Sequence, residues 1–590
     1  MATGLFIYRP MPLKDRLPVS YLLFTTPGRI NRVTYWVASI FIWTTFYVLF
    51  NIVAIASYSA TLILYPVLLW ALLATKIKRL HDVNLSGVWL WLIVIPVIGP
   101  LVMIFLLGFK GGNRQSNRFG AVPGSAPDYF KNNSGEKIPH IKTDERIIND
   151  VTQLNAIVVA KVVVPRSVEE LCEIIRTSEK SICIGGGRFS MGGQTASSQC
   201  LHIDMRALNR IMVFDPGKKI IRVEAGTRWC DIQNHIDPHN LSVKIMQTYA
   251  NFTVGGALSV NCHGRYIGLG PLILSVRSLD VILADGELVH TSPTQQPELF
   301  FACVGCYNAV AVIAQVEFDL EDNVAVKRSF KTMRTGDYLD YFQANVAMNN
   351  DVVFHNGDIY PSRFKNIRAV SWSKTSEKPT VKTRLMPLSA SYPVERYFIG
   401  AFARSAFGKW RRQFIIDPLL YLSKKIHWRN YEAGYDVLEL EPESRKDHTY
   451  VLQEYFVPVR KFEAFTDLMS EIFMRHNVNV INVSIRHALK DTGSLLSWAR
   501  EEVFAFVVWY RQGTSDSAKG EVAVWTRALI DAALSQGGSY YLPYQPHATS
   551  EQFHNAYPNA KKLFEIKRKR DPGFKFRNVI WDTYYNPERI

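Results

Sequence analysis

The chain has 590 residues, 48% of them hydrophobic, and a formal net charge of +16. That length exceeds a single core and implies two or three domains, and the composition excludes a disordered polypeptide. Seven scattered cysteines, an odd number, exclude a disulfide framework. Charge is unevenly placed: residues 1–120 hold eleven Lys/Arg against only Asp15 and Asp82.

The same region is the apolar one. Residues 33–75 carry no charge across 43 positions, and neither do residues 87–109. About 20 apolar residues cross a bilayer, so a membrane domain is expected over 1–123, with spans at 33–54, 57–75 and 87–109. Basic clusters flank the runs at Arg29 and Arg32, at Lys76, Lys78 and Arg79, and at Lys110, Arg114 and Arg118. With every cluster cytoplasmic, the first run crosses twice; a full crossing by the last run would put the third cluster outside, whereas a hairpin broken at Pro96 and Pro100 would keep it inside, and the sequence leaves both open. GRINRVTYW, KIKRLHDVNLSGVW and NRFGAVP make residues 24–123 resemble a small family of bacterial inner-membrane proteins without assigned function. The resemblance implies a multi-pass inner-membrane location and no chemistry. His81 and Asp82 read as a polar helix cap rather than a catalytic pair.

Residues 124–150 are rich in Pro, Gly, Ser and Asn and read as a linker. Short strands then alternate with helices. A strand is expected at 160–164, followed by a helix opened by a Ser167/Glu170 capping box, with Val168, Leu171, Ile174 and Ile175 on its inner face. A strand at 181–184 leads into GGGRFSMGG. This loop lacks the lysine of a Walker loop and the spacing of a dinucleotide fingerprint. It reads equally as a glycine-rich turn or as a nest of amides that grips an anion without a helix dipole. Strands at 201–204 and in the hairpin turning at Asp215–Lys218 precede a helix at 227–236. Cys303 and Cys306 form a lone CxxC, which does not carry a metal site, and no metal is expected.

VVVPRSVEELCEII, GGGRFSMGG, TVGGALSVNCHG and LDVILADGE follow one another over about 170 residues. On these markers the chain resembles the vanillyl-alcohol-oxidase (PCMH-type) FAD-binding flavoproteins. Its closest pattern is the decaprenylphosphoryl-ribose oxidase branch, with a looser likeness to aldonolactone and alditol oxidases and sterol Δ24-reductases. The resemblance implies an α+β fold: a two-part FAD-binding domain at 151–325, a substrate domain at 326–545 and a C-terminal return at 546–590, preceded by the all-α transmembrane domain. It places the pyrophosphate of FAD on Gly185, Gly186, Gly187, Arg188, Phe189, Ser190, Met191, Gly192 and Gly193. It brings Thr248, Thr253, Val254, Gly255, Gly256, Val260, Asn261, Cys262 and His263 toward the flavin, with Val312 and Tyr541 further away. Two departures stand out. The glycines usual at 305–311 are mostly replaced, and Tyr544 stands where the lipid-linked-sugar oxidase has Lys. Covalent relatives carry a histidine where this chain has Phe189, which implies non-covalent FAD.

Oxidising an alcohol requires a hydride acceptor and a group for the hydroxyl proton. His263 reads either as that proton acceptor or as a flavin-positioning group. Arg486 and His487 read either as a paired cation and imidazole facing the flavin or as surface residues. Tyr544 and His547 are further candidates. Strands are expected at 450–457, 478–484 and 503–510, with a helix at 459–475. Residues 396–429 combine basic and aromatic residues with one acid, Asp417, which suits a membrane surface or an anionic lipid head group, or else a solvated basic helix pair. Nucleic acid is not an expected partner. The chain thus reads as a membrane-anchored FAD-dependent oxidoreductase acting on a hydroxyl of a lipid-linked sugar or similar alcohol, its electron acceptor unassigned and the side of its catalytic part left open between the two topologies, with the cytoplasmic side favoured. The alternatives are an oxidase of soluble sugars, a sterol-reductase-like enzyme, and a membrane redox sensor or electron-transfer partner.

Overall fold

The computed structural model describes residues 19–26, 28–56, 59–94, 98–113, 117, 119, 146–361, 363–388, 406–435 and 445–585. The chain divides into two compact units. In the first, Arg32–Ala56 is one uninterrupted helix, and a 3-10 turn, Ser59–Ile63, runs into a second helix, Leu64–Asp82. Both are long and apolar enough to span a bilayer. The second ends seven residues beyond the expected 57–75 span, because Lys78, Arg79 and Asp82 find partners: Lys78 Nζ donates to the Leu22 carbonyl, and Asp82 pairs with Arg79 at 2.7 Å and Arg29 at 3.0 Å.

The third apolar run comprises two short helical pieces, Gly87–Val94 and Ile98–Phe109. The amide of Asn113 donates to the Asp82 carbonyl at 2.8 Å, and Arg79 Nε donates to the Leu107 carbonyl at 2.9 Å. The C-terminal end of the run therefore returns to the end of the Leu64–Asp82 helix from which the run departs, as in a hairpin. Asp82 is the hub of this buried cluster, and His81 stacks on Phe119 with its Nδ1 3.0 Å from the Gly28 carbonyl.

The second unit is α+β. A parallel three-stranded sheet has the order Lys161–Val163, Leu201–Asp204, Ile182–Gly185. Its crossover helix, Val168–Thr177, is capped by Ser167, which accepts from the Glu170 amide, and buries Val168, Leu171 and Ile175. Next comes an antiparallel sheet ordered Leu288–Thr291, Val276–Ile282, Val312–Asp322, Ile220–Glu224, Ile211–Asp215, with Leu241–Val243 paired to the far end of Val312–Asp322. The 124–150 linker reading runs too far: Ile147–Ile148 already pairs with Ile157–Val158.

A larger antiparallel sheet has the order Ile426–Trp428, Ala325–Arg334, Asn366–Lys374, Val352–Ile359, Val480–Ala488, Val503–Gly513, His448–Pro458, Ser539–Tyr540. One face is covered by helices. Tyr338, Phe342, Phe462 and Phe465 from these helices pack on Phe504, Phe506 and His487. The two-residue period puts Glu454, Ser484 and Arg486 on the opposite face. The C-terminal segment returns to the parallel sheet, where the Ile182 amide donates to the Lys575 carbonyl at 2.6 Å.

Candidate functional site

The glycine loop leaves the strand Ile182–Gly185 and turns sharply. Arg188 (φ 59°) and Gly193 (φ 77°) both adopt the left-handed region. Among the described residues, the amides of Gly186, Gly187, Arg188 and Ser190 have no hydrogen-bond partner. Four open amides in one short turn form an anion nest. The surrounding structure holds it in shape. The Gly193 amide donates to Asp150 Oδ2 at 2.9 Å, and Asn155 Nδ2 bridges Asp150 Oδ2 (2.7 Å) and the Met191 carbonyl (3.1 Å). Burial raises the Asp150 pKa above the usual carboxylate value, and the bonds from Thr152, Asn155 and Gly193 favour its charged form.

Arg188 points away from the nest, 3.5 Å from Asp204 Oδ2, beside the buried His202 ring. Burial lowers the His202 pKa to about 3. Phe189 stacks on Phe252 with centroids 4.2 Å apart, so its ring is a packing group.

The helix Val254–Ser259 crosses under the loop. A Cβ at Gly186 would collide with Thr253 Oγ1, and one at Gly255 would lie 2.7 Å from the Ala225 Cβ. Glycine is required at both positions for close approach of the backbone. A narrow cleft runs between these elements, lined by Gly186, Ser190, Thr253, Gly255, Gly256 and Val260. Gln194, Thr195, Ser259, Tyr307, Asn308 and Ile313 also line it, and sequence reasoning did not single them out. Thr248 Oγ1 is buried without a partner. Open amides, a backbone cradle that a Cβ would fill and an orphaned hydroxyl fit an elongated anionic cofactor such as FAD.

Other expected contacts face elsewhere. Val254 and Val312 are fully buried, Asn261 Nδ2 donates to Asp491 at 2.8 Å, and Cys262 Sγ donates to Gln247 at 2.9 Å. None of these four lines the cleft. The 305–311 stretch keeps a glycine-like path without its glycines: Tyr307 (φ 48°) and Asn308 (φ 55°) are left-handed. Trp581 Nε1 and Asn578 Nδ2 both donate to the Tyr307 carbonyl, which pins that conformation. Cys303 and Cys306 are buried, burial pushes both thiols up, and no metal-ligand cluster occurs among the described residues.

Beyond Val260 lies a polar cluster. His263 Nε2 is 2.5 Å from Glu454 Oε1, and His263 Nδ1 is 3.2 Å from the Gly264 carbonyl. Tyr544 donates to Glu454 Oε2 at 3.2 Å, and Tyr541 donates to the Val260 carbonyl at 2.9 Å. Trp498 donates to the Asn261 carbonyl at 3.0 Å and stacks on Phe456. Burial next to Glu454 raises the Tyr544 phenol well above its usual range, so it stays a donor at neutral pH. Arg486 stands near enough to act electrostatically on Tyr544. Its side chain has no ion-pair partner among the described residues, and its Nε is buried unbonded.

Gln194 positions Tyr544, because its Nε2 donates to the carbonyls of Leu542 (2.7 Å) and Tyr544 (2.6 Å) while its Oε1 accepts from the Gly192 amide. Glu454 was missed at the sequence level. The available signal was a lone carboxylate inside the apolar strand VLQEYFVP.

The pairing of Arg486 with His487 does not hold. Adjacent residues in a strand point to opposite faces. His487 packs on Phe342 and reaches Glu502 at 2.6 Å on the helix-covered side. His547 is half-buried, its pKa lowered to about 4 by burial, and its Nε2 has no partner.

Residues 159–292 match the FAD binding domain family, and residues 23–121 match a family of unknown function, DUF805. The decaprenylphosphoryl-beta-D-ribose oxidase of Mycolicibacterium smegmatis is 23% identical over 417 residues, 67% of this chain and 87% of that protein. The L-gulonolactone oxidase of Bos taurus is 22% identical over 436 residues, 71% of this chain and 94% of the relative. Cytokinin dehydrogenase 6 of Oryza sativa subsp. japonica is 29% identical over 216 residues, 34% of this chain and 40% of that protein.

Proposed function

Since the chain is an FAD-dependent oxidoreductase built on a PCMH-type FAD-binding domain, we propose that it oxidises a hydroxyl of a lipid-linked sugar or similar alcohol at a bacterial inner membrane. The carrying observation is the His263–Glu454–Tyr544 cluster, with the unpaired Arg486 beside it. FAD, when bound, supplies the hydride acceptor. The nest at 186–190 holds its pyrophosphate, and Phe189, which has no nucleophilic atom, leaves it without a covalent bond from this loop. Tyr544 and Arg486 form the accessible edge of the cluster and orient the substrate hydroxyl. The proton released from that oxygen passes to Glu454 and is shared with His263 Nε2.

The membrane reading rests on the two long apolar helices and on the hairpin that follows. Arg29, Lys78, Arg79 and Lys110 gather at one end of the unit, which the positive-inside rule makes cytoplasmic. A hairpin returns the chain to that end, so the catalytic unit is cytoplasmic. The relative named as a ribose oxidase acts on a decaprenylphosphoryl sugar, which supports a lipid-linked substrate here.

The test is purification of the full chain in detergent, followed by anaerobic reduction of its flavin with a substrate panel. Polyprenyl-phosphate sugars should bleach the flavin faster than free sugars, alditols or aldonolactones. Equal rates would remove the lipid-linked reading. Slow bleaching by every alcohol, without product, would favour a redox sensor.

A further inference from the structure

Residues Ala406–Leu422 run helically without a break: Ala406–Arg411, a π-turn at Arg412–Ile416, then Asp417–Leu422. The inner side of this segment is tied to the polar face of the large sheet. Arg412 donates to the Ile481 carbonyl at 2.9 Å and to Asn482 Oδ1 at 3.1 Å. Asp417 accepts from Tyr360 at 3.0 Å and pairs with Arg368 at 2.9 Å. Arg328 closes the C-terminal end on the carbonyls of Leu420, Tyr421 and Ser423. The segment is therefore a fixed part of the fold.

Its outer side is apolar and open. Trp410, Phe414, Ile415, Leu420 and Leu422 are 44–77% exposed, and Phe330, packed on Tyr421, extends the patch. Five large apolar side chains exposed within thirteen residues is unlike the rest of this unit, where exposed hydrophobics are scattered. Lys409, Arg411 and Lys425 border the patch, Lys424 beside them pairs with Glu377, and the one acid between Lys409 and Lys425, Asp417, is turned inward and paired.

We propose that the outer face of Ala406–Leu422 docks on the surface of an anionic lipid bilayer, with Trp410 and Phe414 among the acyl–headgroup boundary and the basic residues against the phosphates. An amphipathic helix with aromatic residues on one face and cations beside them binds that environment. The inference rests on the membrane reading of the chain and deepens it. Arg412 is bonded at Asn482, four residues before Arg486 on the same strand, about 13 Å at the usual rise per residue. The docked outer face lies a further helix diameter away, about 10 Å, so docking would put the bilayer surface on the order of 20 Å from the substrate-orienting arginine. A lipid-linked head group could then enter while its chain stays in the membrane.

The test uses the full chain in proteoliposomes, with Phe414→Cys carrying an environment-sensitive NBD label and Met474→Cys as a control on the exposed side of the helix Phe462–Arg475. Cys172→Ser removes the one native thiol that is not buried. In vesicles containing phosphatidylglycerol, the label at 414 should emit to the blue and be quenched by doxyl lipids, and the label at 474 should do neither. The effect should weaken in pure phosphatidylcholine. Equal, water-like emission at both sites overturns the proposal, as does a blue shift at 414 that doxyl lipids do not quench, which would assign the face to a protein partner. Alkaline carbonate extraction separates the two readings. A chain that washes off loses the membrane reading, and a chain that stays with a water-exposed 414 loses only the docking.

Discussion

Glu454 stands between His263 and Tyr544, with one carboxylate oxygen 2.5 Å from the imidazole and the other accepting from the phenol at 3.2 Å. Glu454→Gln keeps the shape of this cluster and removes its capacity to take a proton. It should lower kcat by ~10²–10⁴ while leaving the flavin content unchanged. Stopped-flow reduction, with flavin stoichiometry measured on the same sample, checks it. A fall in bound flavin proportional to the fall in rate would reduce Glu454 to a structural residue.

Arg486 and His487 are neighbours on opposite faces of one strand, and their substitutions should separate. Arg486→Ala removes a cation beside Tyr544 that has no ion-pair partner among the described residues, and should lower kcat/KM by about 10–100-fold, the value of a charged hydrogen bond. His487→Gln breaks a half-exposed pair with Glu502 and should cost about 1 kcal/mol or less of stability, with activity within twofold. Steady-state kinetics and thermal melts on both variants provide the comparison.

The anion nest makes two demands that affinity for FAD can read. Gly186→Ala would press a methyl into Thr253, and Asp150→Asn would weaken the acceptor that holds the Gly193 amide. Both should raise the Kd for FAD in dialysis and reconstitution titrations, Gly186→Ala more strongly because the backbone itself must shift.

Phe189 is stacked on Phe252 and has no nucleophilic atom. Acid precipitation of the purified protein should leave a colourless pellet and a yellow supernatant. A pellet that stays yellow would place a covalent link on another residue.

Two buried histidines and the half-buried His547 set an acid limit on stability. Burial lowers His202 and His355 to about 3 and His547 to about 4, from 6.5. As pH falls below 6.5, the unfolded chain binds protons at these rings that the folded chain does not. Stability is therefore complete above that value and drains away toward pH 4–3. His355→Gln should flatten the slope by up to about 1.4 kcal/mol per pH unit, as read from denaturant midpoints by circular dichroism between pH 7 and 4.5.

Where a function fixes the backbone itself, the sequence announced it. GGGRFSMGG and TVGGALS could be read because close approach and left-handed turns exclude most side chains, and the structure places both against the cleft. The strands around residues 450, 480 and 503 were readable from their apolar, β-branched runs. Side chains that meet only through tertiary pairing were harder to find. Glu454 comes to His263 across 191 positions, and no local pattern carries that distance. The pairing of Arg486 with His487 failed for a simpler reason, since neighbours in a strand cannot face one ligand. Tyr307 and Asn308 appeared to break a glycine motif, yet they keep its left-handed path because Trp581 and Asn578 hold the carbonyl between them. The helix Leu64–Asp82 ends where His81 and Asp82 read as a polar cap, and a buried ion cluster with Arg29 and Arg79 holds that end.

Asp150 lies within the first few described residues of the catalytic unit, and its carboxylate already fastens the turn that faces the cleft. The cofactor grip therefore begins within five residues of Arg146. A truncation that ends before Arg146 keeps both Asp150 and Asn155. A cut only ten residues later takes Asp150 and Asn155 with it and should yield a soluble, flavin-poor protein. For this chain, the boundary that separates the catalytic unit from the apolar helices is set by cofactor retention.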